Sequence, residues 1–516
     1  MWIATADHMR RIDRRSIDEF GLTSRVLMER AGYAVFEKLR EMLPAGGSVA
    51  VVCGRGNNGG DGFVVARLAR ESGYLVDCLV ATPQEDVSPE SREVLEPLLR
   101  SGLHPTFSDN EYWVPKLQAL AAHDLIVDAI FGTGLKSRGN NELRSAPSDA
   151  IHAINRAETL VLSVDVPSGI ETDTGMAVGA AVVADATVTF GMPKPFLFCS
   201  DGLECSGDWS IADIGFPSSL LDAPTGASLL DCRWVGERLP VRSLGSHKGS
   251  NGHVLIVAGS HRMRGAAVLC ARAALRSGAG LVTVAAIEEV CAAVSAQLPE
   301  ALLLPLPSDN GVIAEDAAKL ILEHKADVGL FGPGLTQEES VRGQLSNLFN
   351  SWDRPAVVDA DALNALPAHF RGGEGRYVLT PHPGEMGRLL GTSAHEVEAD
   401  RFAAVEAALE KFTSTTLLKG RHSIVSSPGE PMLINTSGNN GLATGGSGDA
   451  LSGIIASLLG QGLEPYEAAA CGMFWHGIAA DVCADIIGTI GFSPSDVANA
   501  LPKARDIILE KCNSDN

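Results

Sequence analysis

Short apolar runs alternate with amphipathic, helix-like segments along most of the chain. In the first half, the runs rich in Val, Ile and Leu that end in glycine or polar residues are 48–54, 74–81, 124–132, 159–169 and 185–191. In the second half, the corresponding runs are 253–260, 279–286, 327–334, 355–364, 376–385 and 415–425. Strands that are apolar almost throughout and alternate with helices are typical of a parallel sheet covered on both faces. The pattern therefore predicts an α/β fold.

The two series of strands are separated by 216–240, where the alternation stops and which we interpret as a linker. A chain of 516 residues is too long for one hydrophobic core, and about two to four domains are expected for it. The economical prediction is two α/β domains, at 1–225 and 229–516.

The composition is that of an ordinary globular protein with a strong acidic excess. The chain has 63 Asp and Glu against 41 Lys and Arg, and its formal net charge is −22. Because phosphate backbones and anionic lipid surfaces are bound by clustered Lys and Arg, this balance argues against a nucleic-acid or membrane partner.

The sequence also indicates neither export nor a membrane. Its polar, amphipathic start lacks the apolar segment of a signal peptide. No uncharged apolar run reaches the roughly 18 residues that a membrane-spanning helix needs. The ten cysteines are scattered singly without a CxxC motif, so neither a zinc site nor a disulfide framework is expected, and a cytoplasmic location follows as the default.

The first glycine-rich loop, "VVCGRGNNGGDGFVVARL", follows a predicted strand and opens a predicted helix. Gly54, Gly56 and Gly59 have the spacing G-x-G-x-x-G, and Asp77 lies about 20 residues further on, as in dinucleotide-binding folds. On this pattern alone, a hydride-transferring dehydrogenase is a legitimate hypothesis.

Three polar residues inside this loop do not fit a simple pyrophosphate cradle. Asn57, Asn58 and Asp61 crowd the same turn, and a carboxylate repels a phosphate. The side-chain oxygens indicate a site that binds a cation or orients a polar ring. The alternative is that Asp61 only caps the following helix.

Two further strand ends carry matching groups. Asp128 closes one predicted strand, and Asp165 and Ser168 follow the next. Because the carboxyl ends of parallel strands form the ligand crevice of an open sheet, we expect these side chains to converge there.

The motifs "LMERAG", "CGRGNNGGDGFVVAR", "VDAIFGTGLKS" and "VDVPSG" together resemble the NAD(P)H-hydrate epimerase (YjeF-N) domain over about residues 1–220. The resemblance implies a Rossmann-like three-layer αβα fold and a reaction that interconverts the R and S configurations at C6 of hydrated NAD(P)H. The residues implied to bind this substrate are Asn57, Asn58, Gly59, Gly60, Asp61, Gly132, Thr133, Gly134, Leu135, Lys136, Ser137 and Asp165.

The same resemblance implies roles for individual residues. Asp165 would be the main acid/base, and Lys136 would be close to the reacting ring. A potassium ion would be held by Asn58, Asp128 and Ser168, which supply only oxygen ligands.

The second glycine-rich stretch, "GLATGGSGDALSG", contains no P-loop motif. Gly445, Gly446, Ser447 and Gly448 precede a predicted helix, whose positive N-terminal end would stabilise a phosphoryl group. Asp449 at the helix start could take a proton from an attacking hydroxyl, as in kinases, or could serve only as an N-cap.

Other strand ends of the second half carry polar residues of the same kind. Lys419 ends one predicted strand, His382 lies between two prolines, and "VVDADALN" supplies Asp359 and Asp361. The placement of His382 in a proline-braced loop favours contact with a ligand over a purely structural role.

The motifs "SHKGSNGHVLIVAGS", "GAGLVTVA", "GPGL", "VVDADALN", "LTPHPGEM", "LLKG" and "GLATGGSGDALSG" resemble the ADP-dependent NAD(P)H-hydrate dehydratase (YjeF-C) domain from residue 246 to about 500. The resemblance implies a ribokinase-like αβα fold. The residues implied to contact the hydrate are Ala266, Gly334, His382 and Asp449. The residues implied to bind ADP or AMP are Lys419, Gly420, Arg421, His422, Ser423 and Gly448.

The expected protein is therefore a bifunctional NAD(P)H-hydrate repair enzyme. It would use ADP as co-substrate, with magnesium on the ADP phosphates, and the resemblance suggests a tetramer or larger homo-oligomer. Two alternatives are a vitamin or sugar kinase with a non-catalytic Rossmann-like domain, and a non-catalytic scaffold.

Overall fold

The computed structural model describes residues 1–136, 145–221, 226–367, 369–372 and 375–514. The chain divides into two compact units, Met1–Gly226 and Ala227–Asn516. Each unit has a mainly parallel sheet of buried strands with helices between them, which confirms the predicted α/β class.

The first unit contains one seven-stranded sheet in the order β3-β2-β1-β4-β5-β6-β7, and every neighbouring pair is parallel. Its strands are β1 Ser48–Cys53, β2 Leu75–Val80, β3 Thr106–Phe107, β4 Leu125–Ala129, β5 Leu160–Val164, β6 Ala186–Phe190 and β7 Asp208–Ala212. Its helices are α1 Ala6–Phe20, α2 Ser24–Met42, α3 Asn57–Glu71, α4 Pro89–Arg100, α5 Trp113–Gln118, α6 Ser145–Arg156, α7 Ser200–Cys205 and α8 Ser218–Leu221. The strand order reverses direction between β1 and β4, which is where a doubly wound sheet opens a crevice.

Two glycines of the first loop are required by packing. A Cβ on Gly54 would lie 1.9 Å from the carbonyl oxygen of Ile130, and one on Gly59 would lie 2.0 Å from that of Gly54. The G-x-G-x-x-G spacing therefore brings α3 close to the ends of β1 and β4.

The second unit contains a ten-stranded sheet in the order β11-β10-β9-β14-β15-β16-β17-β18-β19-β8 and a small β12–β13 hairpin. Its strands are β8 Ala227–Leu229, β9 His253–Val257, β10 Leu281–Ala286, β11 Leu302–Pro305, β12 Ser308–Asp309, β13 Val312–Ile313, β14 Val328–Phe331, β15 Ala356–Val358, β16 Tyr377–Leu379, β17 Thr415–Leu418, β18 Ile424–Ser426 and β19 Met432–Ile434. Its helices are α9 Cys232–Gly236, α10 Arg264–Arg276, α11 Glu288–Gln297, α12 Ala317–Glu323, α13 Glu339–Ser351, α14 Pro383–Leu390, α15 Ala394–Ala399, α16 Arg401–Phe412, α17 Ser447–Gly460, α18 Pro465–Ile487 and α19 Pro494–Ser514. Among the described strands of the large sheet, only β18 runs antiparallel to its neighbours.

The prediction of a linker over 216–240 is wrong in part. Strand β8 pairs in parallel with β19 at the edge of the large sheet, and helix α9 begins after an Asp231 N-cap. The partner strand lies some two hundred residues further along the chain, so no local pattern could indicate the pairing.

One described helix, α18, is long and apolar enough to cross a membrane by length and composition. Of its most apolar window, 67% is buried inside the protein, and buried helices of a protein core meet the same criterion.

Candidate functional site

The first unit has a cavity of about 620 Å³ at the carboxyl ends of its central strands. It is lined by the start of α3, by the segment after β4, by Asp165 after β5 and by residues of α1. Of the predicted binding residues, those that line it are Asn57, Asn58, Asp61, Gly132, Thr133, Gly134, Leu135, Lys136 and Asp165. The structure therefore brings together most of the set that the sequence predicted.

Two of the remaining predicted residues do not line the cavity. Gly59 packs against the carbonyl of Gly54, and Gly60 faces Met28 and Ser91. Ser137 lies outside the described residues.

The dehydrogenase hypothesis fails at its acidic residue. Asp77 lies within β2, where its carboxylate binds Lys116 and His123, and it does not line the cavity. It is therefore engaged as a structural ion pair.

Asp61 is not a helix cap. Helix α3 begins at Asn57, and its N-cap Gly56 provides no side-chain hydrogen bond, so the capping alternative is wrong. Asp61 is buried one turn into α3, and burial, followed by the charges of Asp165 and Asp13, raises its pKa well above the usual range. The surroundings of this carboxyl therefore disfavour its charged form.

Asp165 directly follows β5 and has a left-handed backbone, with φ = 63°. Such a conformation is uncommon for a residue other than glycine and costs about 1–3 kcal/mol, so it indicates that the surrounding structure holds this backbone in place. Its Oδ1 atom accepts hydrogen bonds from Lys194 Nζ (2.6 Å), Thr189 Oγ1 (3.1 Å) and the Phe190 amide (3.3 Å).

Lys194 is the main residue that sequence reasoning missed. Its side chain is 1% exposed, and it forms the ion pair with Asp165. It stands between two prolines in "GMPKP", four residues after the end of β6. This placement resembles that of His382, which the sequence analysis did single out, so the signal was available.

Lys136, which was predicted to lie close to the reacting ring, is at the rim of the cavity. Its side chain is 52% exposed, and its Nζ is 3.8 Å from a carboxylate oxygen of Asp7. Asp13 also lines the cavity and was not predicted. Burial, followed by the charge of Asp165, raises the pKa of Asp13 to about 6.

The residues predicted to hold potassium are partly joined to each other. Asp128 Oδ2 accepts from the Ser168 amide (2.8 Å) and from Ser163 Oγ (2.9 Å). Asp128 is fully buried, and burial raises its pKa. Asn58 lies on the cavity wall instead, and its buried Nδ2 has no hydrogen-bond partner in the described part of the chain.

In the second unit, Asp449 lies in the first turn of α17, which begins at Ser447 after Gly446. The φ of Gly446 is 93°, and the helix has no side-chain cap hydrogen bond, so the alternative that Asp449 is an N-cap is wrong. Burial, followed by the charge of Asp359, raises the pKa of Asp449 to about 7, against a lowering effect of Lys419.

Lys419, which follows β17, turns inward. Its Nζ donates to Asp359 Oδ1 at 2.6 Å and lies 3.8 Å from Glu385. The other oxygen of Asp359 accepts from Ser452 Oγ at 2.6 Å. A Cβ on Gly448 would lie 3.4 Å from Lys419 Nζ, so this ion pair lies directly beneath the glycine-rich turn.

His382 is the N-cap of α14, and its Nδ1 accepts from the Gly384 amide at 3.0 Å. Glu385 completes the capping box by accepting from the His382 amide. The side chain of His382 is nevertheless 51% exposed. Gly334 and Ala266 are adjacent, since a Cβ on Gly334 would lie 2.9 Å from that of Ala266.

The remaining predicted nucleotide-binding residues form the tight connection from β17 to β18. Ser423 Oγ bonds to the backbone of Gly420, and the carbonyl of Arg421 accepts from buried Arg401. His422 has a left-handed backbone, with φ = 54°, and burial lowers its pKa to about 4.

These two sites define a two-domain α/β protein. One unit has a crevice where the strand order of its sheet reverses, and the other has a glycine-rich helix N-terminus of the kind that binds phosphate groups. Comparisons with known proteins agree. Residues 254–503 match the family model described as NAD(P)H-hydrate dehydratase, and residues 24–196 match the model of the YjeF-related protein N-terminus. A ribokinase-like protein of Enterococcus faecalis has a TM-score of 0.50 and 26% identity, over 55% of this chain and 98% of its own.

Two relatives span nearly the whole chain. The bifunctional NAD(P)H-hydrate repair enzyme of Moorella thermoacetica is 39% identical over 97% of this chain and 96% of its own length. The enzyme of the same name from Escherichia coli is 37% identical over 96% of this chain and 93% of its own. The chain belongs to the family of bifunctional NAD(P)H-hydrate repair enzymes, which confirms the resemblance drawn from its motifs.

Proposed function

We propose that the enzyme performs its two reactions at the two sites described above. The first unit would epimerise hydrated NAD(P)H at C6 in the cavity around Asp165. The second unit would dehydrate the S epimer at Asp449 with ADP. The observation that supports this assignment best is the convergence of Asn58, Asp61, Gly132 and Asp165 on one cavity.

In the epimerase site, Asp165 would exchange a proton with the substrate near C6. One oxygen of its carboxylate is engaged by three donors, so the other oxygen would carry the proton. General acid–base catalysis of this kind contributes about 10²–10⁴-fold.

A potassium ion would fit beside Asp128 and Ser168. Asp128 is a fully buried carboxylate, and its hydrogen-bond donors in the described residues are neutral hydroxyl and amide groups. A monovalent cation would balance this charge, and Asn58 would supply a further oxygen. The ion would orient polar groups of the substrate.

In the dehydratase site, Asp449 would accept the proton of the C6 hydroxyl. The hydroxyl oxygen would attack the terminal phosphorus of ADP, which releases AMP. The C6–O bond would then break with loss of phosphate, assisted by the enamine nitrogen, and loss of a proton from C5 would regenerate NAD(P)H. Magnesium on the ADP phosphates would neutralise their charge.

The predicted contacts of the hydrate with Ala266, Gly334 and His382 fit the adjacency of the first two and the exposure of the third. The segment Lys419–Ser423 would bind the nucleotide beside Gly448. A tetrameric or larger assembly and a cytoplasmic location stay predictions.

The test uses purified R and S hydrates with ADP or ATP and follows recovery of NADH absorbance. Asp165→Asn should abolish conversion of the R epimer beyond its spontaneous rate and leave the S epimer unaffected. Asp449→Asn should abolish recovery from both epimers. A D165N enzyme that epimerises at the parental rate would remove Asp165 from the assignment, and a stable phosphorylated product would favour a kinase.

A further inference from the structure

The buried ammonium of Lys194 uses all three of its hydrogens at one place. Its Nζ donates to Asp165 Oδ1 at 2.6 Å, to Thr189 Oγ1 at 2.6 Å and to the Phe190 carbonyl at 2.9 Å. The side chain is 1% exposed. Pro193 and Pro195 restrict the backbone on either side. Lys194 is therefore held in one position and has no donor left for a substrate.

The two oxygens of Asp165 have different surroundings. Oδ1 accepts all three hydrogen bonds described for this carboxylate, from Lys194, Thr189 and Phe190. Oδ2 accepts none from the residues that the structure describes, and a Cβ on Gly132 would lie 3.3 Å from it. Gly132 and Asp165 both line the cavity, so Oδ2 is the oxygen that faces it.

We propose that Lys194 is the positioning residue of the epimerase site, which anchors Asp165 through Oδ1 so that Oδ2 alone exchanges the substrate proton. The inference rests on the proposed role of Asp165. The lysine that holds the acid/base Asp165 in place is then the buried Lys194, and not the exposed Lys136.

The charges around the cavity explain why a buried cation is needed. The charged groups that line it are Arg10 and Asp13 of α1, Arg55 and Asp61 at α3, Lys136, and the Asp165–Lys194 pair. Three carboxyl groups share this cavity, and like charges disfavour one another's ionised forms. The ammonium of Lys194, within hydrogen-bond distance of Oδ1, places a positive charge beside this group of carboxyl side chains.

The experiment measures epimerisation of the R hydrate in the full chain, whose own dehydratase site reports on the S product in the presence of excess ADP. Lys194→Met should lower the epimerase kcat about 100-fold with KM nearly unchanged. It should also move the acidic limb of the epimerase pH profile upward by at least about one unit, because the neighbouring positive charge is lost. In Lys194→Ala, added ethylamine should restore part of the rate.

Two controls keep the outcome interpretable. Dehydration of pure S hydrate by the same K194M chain reports whether the protein is folded. Lys116→Met removes another lysine of a lysine–aspartate pair in the same unit, outside the cavity, and should leave epimerisation unchanged.

Different results would overturn the proposal for Lys194 and the assignment of Asp165 as the acid/base. If D165N is inactive while K194M keeps the parental rate and pH profile, Lys194 has no positioning role. If D165N itself epimerises normally, the site assignment is wrong. A K194M enzyme that is slow without any shift of the acidic limb, and whose K194A counterpart is not rescued by amine, would also overturn the proposal.

Discussion

Each unit places a candidate catalytic aspartate near a lysine that forms an ion pair with a carboxylate, but the charges are paired differently. In the first unit, Lys194 binds the aspartate itself, at 2.6 Å from Asp165. In the second, Lys419 binds Asp359 at 2.6 Å, and Asp449 keeps a pKa raised to about 7. The two lysines therefore bind different carboxylates relative to the candidate acid, and the motif around the acid does not reveal which one.

The backbone contexts differ as well. Asp165 is held by a left-handed turn after a strand, whereas Asp449 lies in the first turn of a helix, where the helix dipole favours a negative charge. At Asp449, burial and the charge of Asp359 outweigh the attraction of Lys419, and the pKa is raised. A pKa close to neutrality suits a carboxylate that is to accept a proton and later release it.

The largest expected effect concerns stability. Asp359 is 1% exposed and pairs with Lys419, so Lys419→Met leaves a buried carboxylate without its counter-charge and should lower the free energy of unfolding by about 3–5 kcal/mol. Lys116→Met breaks a pair whose side chains are 36% and 40% exposed and should cost less than about 1 kcal/mol. Denaturant unfolding, with hydrogen exchange to locate the loss, measures both.

A double-mutant cycle decides whether Asp359 is the group that Lys419 balances. If it is, K419M/D359L should recover a large part of the stability lost in K419M, because no buried charge remains. A K419M protein as stable as the parent would show that the pairing seen beneath the glycine-rich turn carries little energy, and the contrast between the two units would disappear.

The second prediction concerns the pH dependence of dehydration. If Asp449 accepts the hydroxyl proton as proposed, it must be deprotonated to do so. Because its pKa is raised to about 7, kcat/KM should then fall about tenfold per pH unit well below that value. Asp359→Asn removes the neighbouring charge that raises this pKa. It should therefore move the acidic limb of the pH profile of kcat/KM to lower pH. Asp361→Asn, a weaker contributor of the same sign, should move it less.

Lys419 affects the pKa of Asp449 in the opposite direction to Asp359. Lys419→Met removes the charge that lowers the pKa of Asp449, so the limb should move to higher pH when measured at saturating ADP. Limbs of K419M and D359N that coincide with the parental one would exclude Asp449 as the titrating base.

Much of this arrangement could be predicted from the sequence, and the rest depends on contacts between distant segments. Apolar runs located the strands, and glycine-rich turns after them located Asp61, Asp165 and Asp449 near ligand-facing sheet ends. Their partners could not be derived locally, because Lys194 is 29 residues from Asp165 and Lys419 is 60 residues from Asp359. The linker was misassigned for the same reason, since β8 is defined only by β19.

The smallest expected effect concerns Asp13 and would sharpen the contrast within the first unit. Burial and the charge of Asp165 raise its pKa in the folded protein to about 6, above its ordinary value, so the native state binds this proton more tightly than the unfolded state. The stabilisation is complete below about pH 4 and is lost as pH rises through about 6. Since Asp13 is only partly buried, the change should be about 1–2 kcal/mol.

Asp13→Asn should flatten this part of the stability profile, measured by denaturant unfolding between about pH 4 and 7. If the charge of Lys194 balances that of Asp165, K194M should make the stability depend more steeply on pH, because Lys194 lowers the pKa of Asp13. An unchanged slope in both variants would mean that Asp13 does not sense the Asp165–Lys194 pair. Opposite changes would show that Asp13 senses the charges of both Asp165 and Lys194.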